Sequence, residues 1–134
     1  VRALGTFLRF EATLPARIRE AAILVAAVEQ QNAFIWDTHQ HVAREAGLSD
    51  NEIQSIGSGL ALTEELSDVR RVVQAVVHSR SVDQDLFNRI SARYSVPSAV
   101  ELVTLAAFYR MMAGLGAAFD SALPGAAPPP WAAG

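Results

Sequence analysis

Glu20 and His39 are the two residues of this sequence whose types and positions best suit acid–base chemistry. Each lies in a stretch with helical patterning, and the chain turns between them near residues 29 to 32. In an antiparallel helical hairpin, residues equally far from the turn lie at the same height, and these two nearly meet that condition. A carboxylate beside an imidazole fixes its tautomer and favours its protonated form. The sequence therefore predicts a buried pair that can hold and transfer a proton.

Three more residues lie on the same side of the second helix as His39. Asn32, Ile35 and His39 follow one another at spacings of three and four, and Trp36 lies one turn before His39. We expect Asn32, Ile35 and Trp36 to line a substrate pocket beside the imidazole, with the indole as an apolar wall.

Each of these residues also has an ordinary structural role open to it. A lone His39 would more often be a structural hydrogen-bonding residue, and Glu20 could form a salt bridge with Arg17 or Arg19. Trp36 could simply be a core aromatic residue. The pairing of Glu20 with His39 is what favours function, because it supplies a proton carrier together with its orienting group.

The remaining histidines give no second site. His41 projects from the other side of its helix, and its spacing from Asp37 would give only two ligands of a metal site. His78 lies near the end of another helix. The chain has no cysteine, phosphate loop, nucleophile elbow or dinucleotide fingerprint. We therefore predict a site without metal or cofactor, and no thiol chemistry.

Two helices must position the pair, and the patterning predicts both. Thr13 is expected to cap the first, with Pro15 in its opening turn, and the second runs from a cap at Asn32 to Gly47. An apolar lead-in precedes them, and no stretch alternates with period two for long enough to form a strand. Four further helices are predicted. The first spans about 50–56 and is ended by Gly57 and Gly59, and the second spans about 64–79 and is capped by Thr63. The third runs from Ser81 or Asp83 to Tyr94, and the fourth from Pro97 to about Asp120. The prediction is one all-α bundle of about six helices.

Residues 1–123 are predicted to form this domain, and residues 124–134 a Pro/Ala-rich C-terminal tail. Three consecutive prolines prevent a helix there, so we expect the tail to be extended. Trp131 is expected to be a loose end, with an anchor on a neighbouring subunit as the alternative.

Composition narrows the class of protein. A chain of 134 residues is long enough for one buried core, and its mean hydropathy of +0.20 favours an additional subunit interface. The net charge is −3 and the basic residues do not cluster, so neither nucleic acid nor a membrane is an expected partner. The apolar segment from Glu101 to Phe119 contains Arg110 and reads as a core helix. No signal peptide pattern is present and the chain opens on Val1, so we expect a cytoplasmic protein whose first natural residues are missing.

Two segments carry a family resemblance: LPARIREAAIL, and IWDTHQHVAREAGLSDNEI. With Arg-Glu at 19–20, Trp-x-x-His at 36–39 and the Ala-Gly-Leu-Ser that follows, the chain resembles the carboxymuconolactone decarboxylase family of the alkylhydroperoxidase-D-like superfamily. Val100 to Leu115 resembles the family's closing helix. The peroxidase branch has cysteines where this chain has Asn32 and Ile35, which excludes thiol peroxidase chemistry.

The resemblance implies cofactor-free decarboxylation of a small carboxylated lactone or related unsaturated acid, as in aromatic catabolism. His39 would donate the proton, Glu20 would orient it, and Trp36 would form part of the apolar wall. The substrate carboxylate would be bound by an arginine; Arg19 is a candidate, but the sequence does not choose it over the others. Other arginines open to that role are Arg17, Arg80 and Arg110.

The same resemblance implies a homo-oligomer, either a trimer or a hexamer. It also leaves other functions open on the same scaffold. The His–Glu pair could serve an isomerase, dehydratase or cyclase of a specialised metabolic pathway. The third alternative is a protein that binds a small molecule without catalysis.

Overall fold

The computed structural model describes residues 2–7, 12–119 and 130–133. Within these ranges the chain is all-α and contains no strand, which confirms the predicted fold class. The elements are α1 (Arg2–Thr6), α2 (Ala16–Glu29), α3 (Ala33–Glu45), α4 (Asp50–Ser58), α5 (Glu64–Val77), α6 (Gln84–Arg93), α7 (Val96–Ala118) and a 3-10 helix (Pro130–Ala133). The seven α-helices of the described residues agree with the predicted count of about six; the additional one, α1, forms in the apolar lead-in. The expected domain boundary at residue 123 lies outside the described residues.

Helix α2 is the centre of the bundle and contacts α3, α4, α5 and α7. Its sequence from Ala21 to Ala27 has no polar side chain, and every residue in that run is buried. The small alanines allow neighbouring helices to approach closely on several sides. Glu20, which directly precedes this run, is only 1% exposed. A carboxylate therefore lies at the edge of the apolar core.

Two expectations at the ends of the hairpin helices had different outcomes. Asn32 caps α3 as predicted, because its Oδ1 accepts the backbone N–H of Ile35 at 2.9 Å. Thr13 does not cap α2, which begins after Pro15 without a side-chain cap. Both the hydroxyl and the backbone N–H of Thr13 instead donate to the carboxylate of Glu101. A long-range partner on α7 thus replaces the local cap.

The other predicted caps are present. Ser49 and Glu52 form a capping box on α4, and Thr63 caps α5. Of the two candidates for the start of α6, Asp83 is the cap. The predicted end of α4 at Ile56 is wrong. The helix continues to Ser58, and Gly59 follows it with a φ of +74°, a conformation in which glycine avoids strain. Gly57 is therefore a helical residue.

Helix α7 combines a core face with an exposed apolar face. Leu102, Leu105 and Ala106 are each at most 1% exposed, and the helix packs on α2, α5 and α6. It is the one described helix that is long and apolar enough to cross a membrane, judged by length and composition alone. Its contacts agree with the predicted core helix. The large apolar side chains of α7 that remain exposed are Val96, Val100, Met111, Met112 and Leu115.

The C-terminal 3-10 helix packs back onto the bundle, against α4. The ring of Trp131 meets that of Trp36 edge to face, with 5.7 Å between centroids. Gly57 lies beneath this contact, and a Cβ built there would be 3.0 Å from Pro130 Cγ. The expectation that Trp131 is a loose end is therefore wrong, because its ring packs on Trp36 and Gly57 leaves space for the 3-10 helix. Residues 120–129 of the expected extended segment lie outside the described residues.

Candidate active site

Glu20 and His39 meet between the antiparallel helices α2 and α3. His39 Nδ1 lies 2.9 Å from Glu20 Oε1, which confirms the contact expected from the spacing around the turn. The side chain of His39 is 13% exposed. An ionised carboxylate can only accept, so Nδ1 carries a proton. Nε2 is then the nitrogen at which the neutral ring accepts a proton and from which the imidazolium donates one.

The second oxygen of Glu20 is bound by Arg19. Arg19 Nε donates to Glu20 Oε2 at 2.9 Å. Burial alone raises the pKa of Glu20, but the hydrogen bonds from His39 and Arg19 outweigh it, so this pKa lies below its ordinary value. Glu20 is therefore an anion at neutral pH, although it is almost completely buried.

Tyr109 of α7 faces the other nitrogen of the imidazole. Its hydroxyl lies 3.5 Å from His39 Nε2, and the two rings are perpendicular with 5.6 Å between centroids. Sequence reasoning did not select Tyr109. A signal was present, because this tyrosine shares the buried face of α7 with Leu102, Leu105 and Ala113, and a buried hydroxyl requires a partner.

A cavity of about 500 Å³ opens beside His39, between α3 and the C-terminal half of α7. This volume suits a small organic molecule. The residues that line it are Asn32, Phe34, Ile35, Thr38, His39, Phe108, Tyr109, Met112, Leu115, Gly116 and Phe119. Two of the polar groups are already engaged, since Asn32 Oδ1 caps α3 and Thr38 Oγ1 donates to the carbonyl of Phe34. The candidate reactive groups of the cavity are therefore His39 and Tyr109, and most of the other lining side chains are apolar.

The structure brings only some of the predicted site residues to this cavity. Asn32, Ile35 and His39 line it. Glu20 lies behind the imidazole, and Trp36 is not among the lining residues. At 100° per residue, Trp36 is offset from His39 by about 60°, and its ring packs against Trp131 instead. Substrate contact by Trp36 stays a prediction that this cavity does not support.

Arg19 is likewise absent from the cavity wall, as are the other arginines that the structure describes. Arg17 pairs with Glu52 and Glu65, and Arg110 donates to Ser79 Oγ. Binding of a substrate carboxylate by Arg19 therefore stays a prediction without geometric support. The side chain of Arg19 instead donates from Nε to Glu20, the residue next to it in the sequence.

The remaining histidines lie away from the cavity. His41 is exposed, and His78 Nε2 contacts Glu29 Oε1 at 3.0 Å. Over the described ranges, no three side chains of histidine, aspartate or glutamate converge as metal ligands would.

A buried carboxylate–imidazole pair that opens on an apolar cavity, in an all-α bundle, defines a candidate acid–base site. The sequence profile of the carboxymuconolactone decarboxylase family matches residues 1–77, more than half of the chain. The chain belongs to this family, and the predicted resemblance is confirmed. The matched residues include Glu20 and His39 but end before α7, so the likeness of Val100 to Leu115 to a family helix stays a prediction. Searches of curated proteins and of solved structures gave no match.

Proposed function

We propose that this protein is a cofactor-independent, decarboxylase-like lyase that acts on a small carboxylated lactone or related unsaturated acid. The supporting observation is the line of contacts from Glu20 through His39 to Tyr109, which ends in the apolar cavity. Membership of the carboxymuconolactone decarboxylase family is compatible with this reaction.

In the proposed reaction the carbon–carbon bond to the carboxylate breaks and CO₂ leaves. The electron pair passes into the conjugated carbonyl group and forms a dienolate. The imidazolium of His39 then delivers a proton from Nε2 to carbon, and the neutral ring regains a proton from solvent. The Tyr109 hydroxyl, beside Nε2, donates to the developing enolate oxygen.

Charge balance explains why an apolar cavity suits this step. The reactants are a carboxylate and an imidazolium, whereas the products are CO₂, a neutral lactone with a new C–H bond and a neutral imidazole. An apolar chamber disfavours separated charges, so it favours the side on which they have disappeared. Glu20, ionised behind the ring, stabilises the imidazolium before the reaction and keeps its Nε2 directed at the cavity.

A second candidate is an isomerase, dehydratase or cyclase that acts on an uncharged carbonyl compound. It is favoured by the absence of any described arginine from the cavity wall, since a carboxylate would have to rely on the imidazolium for its charge partner. His39 would then move a proton between two positions of the substrate. A protein that only binds a small molecule is the third alternative.

Product analysis separates these functions. Purified protein is incubated with a panel of carboxylated lactones, unsaturated acids and their uncharged esters, and CO₂ and product masses are measured. We expect CO₂ release from an acid, abolished in His39→Gln. Products of unchanged mass, or products that have lost only water, would favour the second candidate, and binding without turnover the third.

We also propose that the protein forms a trimer, or a hexamer built from two trimers. Support comes from exposed apolar side chains on α7, including Met111, Met112 and Leu115. Light scattering that shows a monomer at micromolar concentration would refute this. The cytoplasmic location and the absence of nucleic-acid and membrane partners stay predictions from the sequence.

A further inference from the structure

Arg19 is a neighbour of the catalytic pair to which the proposed reaction assigns no role. Its guanidinium binds Glu20 Oε2, while Glu20 Oε1 contacts His39 Nδ1, both at 2.9 Å. The side chain of Arg19 is 17% exposed and does not line the cavity. The Glu20 carboxylate is thus shared between a permanent cation on one side and a titratable ring on the other.

The contact with Arg19 matters because a buried carboxylate without a second cationic partner would stabilise the imidazolium of His39 too strongly. If His39 were its sole cationic partner, loss of the ring's proton would leave a buried charge unpaired, which is costly in a medium of low dielectric constant. The ring would then be held as imidazolium and would release its proton poorly. With Arg19 in place, the carboxylate keeps a cation whichever state the ring is in.

We infer that Arg19 is a positioning residue, which holds the Glu20 carboxylate in place and balances its charge so that His39 can both release and regain a proton. The inference deepens the proposed function and rests on it only in taking His39 as the group that transfers the proton. It also reassigns Arg19, which was expected to contact the substrate, to the rear of the site.

The groups that face His39 make the effect measurable. They are Glu20 from α2, with Arg19 behind it, and Tyr109 from α7. On α3 itself, Asp37 lies two positions from His39, and its buried Oδ2 has no hydrogen-bond partner among the described residues. Several other charged groups on the elements around α2 and α3 are held in ion pairs. These pairs are Arg17 with Glu52 and Glu65, His78 with Glu29, and Arg44 with Asp50.

The test is an NMR titration of the three histidines of the chain in wild type and in Arg19→Gln, with His39 assigned by its loss in His39→Gln. Glutamine can still donate to Glu20 but carries no charge. We expect the titration midpoint of His39 to rise by about one pH unit, the usual effect of one neighbouring charge. His41 and His78 should be unchanged in the same spectra, and Arg19→Lys should return the midpoint towards the wild-type value.

Two further variants sharpen the result. Arg44→Gln removes an arginine from an ion pair on α3 itself and should leave the His39 midpoint in place. In a Glu20→Gln background, Arg19→Gln should lose its effect, since the carboxylate that transmits it is gone. Arg19→Met provides the same test if the glutamine variant does not fold, as judged by circular dichroism.

A His39 midpoint that stays or falls in a folded Arg19 variant would overturn the inference, and so would an equal shift in the Glu20→Gln background. The titration needs no substrate, so it separates this inference from the proposed function. A shifted His39 midpoint in a protein without turnover would support the inference about Arg19 and refute the proposed function. Turnover that depends on His39, with an unshifted midpoint, would do the reverse.

Discussion

Tyr109 and His39 lie 70 positions apart in the chain, yet the tyrosine hydroxyl is 3.5 Å from the imidazole Nε2. Glu20 Oε1 of α2 lies 2.9 Å from the other nitrogen, Nδ1, so each ring nitrogen contacts a side chain from a different helix. The imidazole is therefore fixed in orientation, with its transferable proton on the side of the cavity. A substrate atom placed at this point would meet a proton carrier and a hydroxyl together.

Replacement of His39 by alanine should abolish most activity and leave the fold intact. Because the imidazole is the proposed proton donor, turnover should fall by roughly 10²- to 10⁴-fold, the usual range for a general acid–base group. The measurements are kcat and the thermal midpoint Tm. A purely structural His39 would lower Tm and spare the turnover of the folded fraction.

Two substitutions calibrate that result. Glu20→Gln should reduce kcat by less than His39→Ala, because the ring remains and loses only its charged partner. His41→Ala, on the exposed side of the same helix, should change kcat little. Equal losses for the two histidines would contradict the assignment of the site to one face of α3.

Tyr109→Phe should lower kcat by about 10²-fold, as expected for the loss of one hydrogen-bond donor to a developing oxyanion. Tm should change little, since the phenyl ring keeps the packing of the buried tyrosine. The other tyrosine offers a matched control. Tyr94 donates to Glu65 at 2.6 Å and neither residue lines the cavity, so Tyr94→Phe should alter stability and spare kcat. Similar kinetics for wild type and Tyr109→Phe would remove the hydroxyl from the mechanism.

Acid should destabilise the protein through Glu20. Its pKa is lower in the folded state than its ordinary value of 4.5, because hydrogen bonds from His39 and Arg19 outweigh burial. The unfolded chain therefore binds the proton first as the pH falls. The stability that Glu20 contributes is present above about pH 4.5 and is lost as the pH falls through the folded-state pKa.

Urea unfolding between about pH 3 and 7 would measure this slope. Glu20→Gln should make the free energy of unfolding less dependent on pH at the acid end of the range. Glu45→Gln, an exposed position on α3, should retain the wild-type slope. A wild-type slope in Glu20→Gln would assign acid sensitivity to other carboxylates, such as Glu52 and Glu65, whose pKa values are also lowered.

Gly57→Ala should displace the C-terminal 3-10 helix. The new Cβ would lie 3.0 Å from Pro130 Cγ and 3.1 Å from Trp36 Cη2, closer than ordinary contacts allow. Trp36 and Trp131 are the two tryptophans of the chain, so the change should appear as a shift of tryptophan emission towards longer wavelength. We expect a loss of about 1 to 3 kcal/mol in the free energy of unfolding, typical of overpacking.

Gly114→Ala is the matched control. A Cβ there meets nothing within 4 Å, and alanine is the better helix former by about 1 kcal/mol. That variant should keep the wild-type emission and be at least as stable. If Gly57→Ala also keeps the wild-type emission, Trp131 is not docked on Trp36 in solution.

The sequence was sufficient for features that depend on local geometry. Glu20 and His39 share one hairpin with a short turn, so their contact follows from counting, and Asn32 caps α3 through a residue three positions away. Long-range packing decided the rest. Thr13 binds Glu101 of α7, and Trp36 faces a tail residue that is distant in sequence. Helical periodicity predicts the face of a helix on which a side chain lies, but it does not predict which other element packs against that face.

The Glu20–His39 pair and one side of the cavity wall come from different parts of the chain. Glu20 and His39 fall within the 77 residues shared with the family, whereas Phe108, Tyr109 and Met112 belong to α7, beyond that stretch. Changes in α7 can therefore alter the shape of the cavity while they leave the contact between Glu20 and His39 in place. Two family members with the same pair could have diverged to unrelated metabolites through changes in one helix.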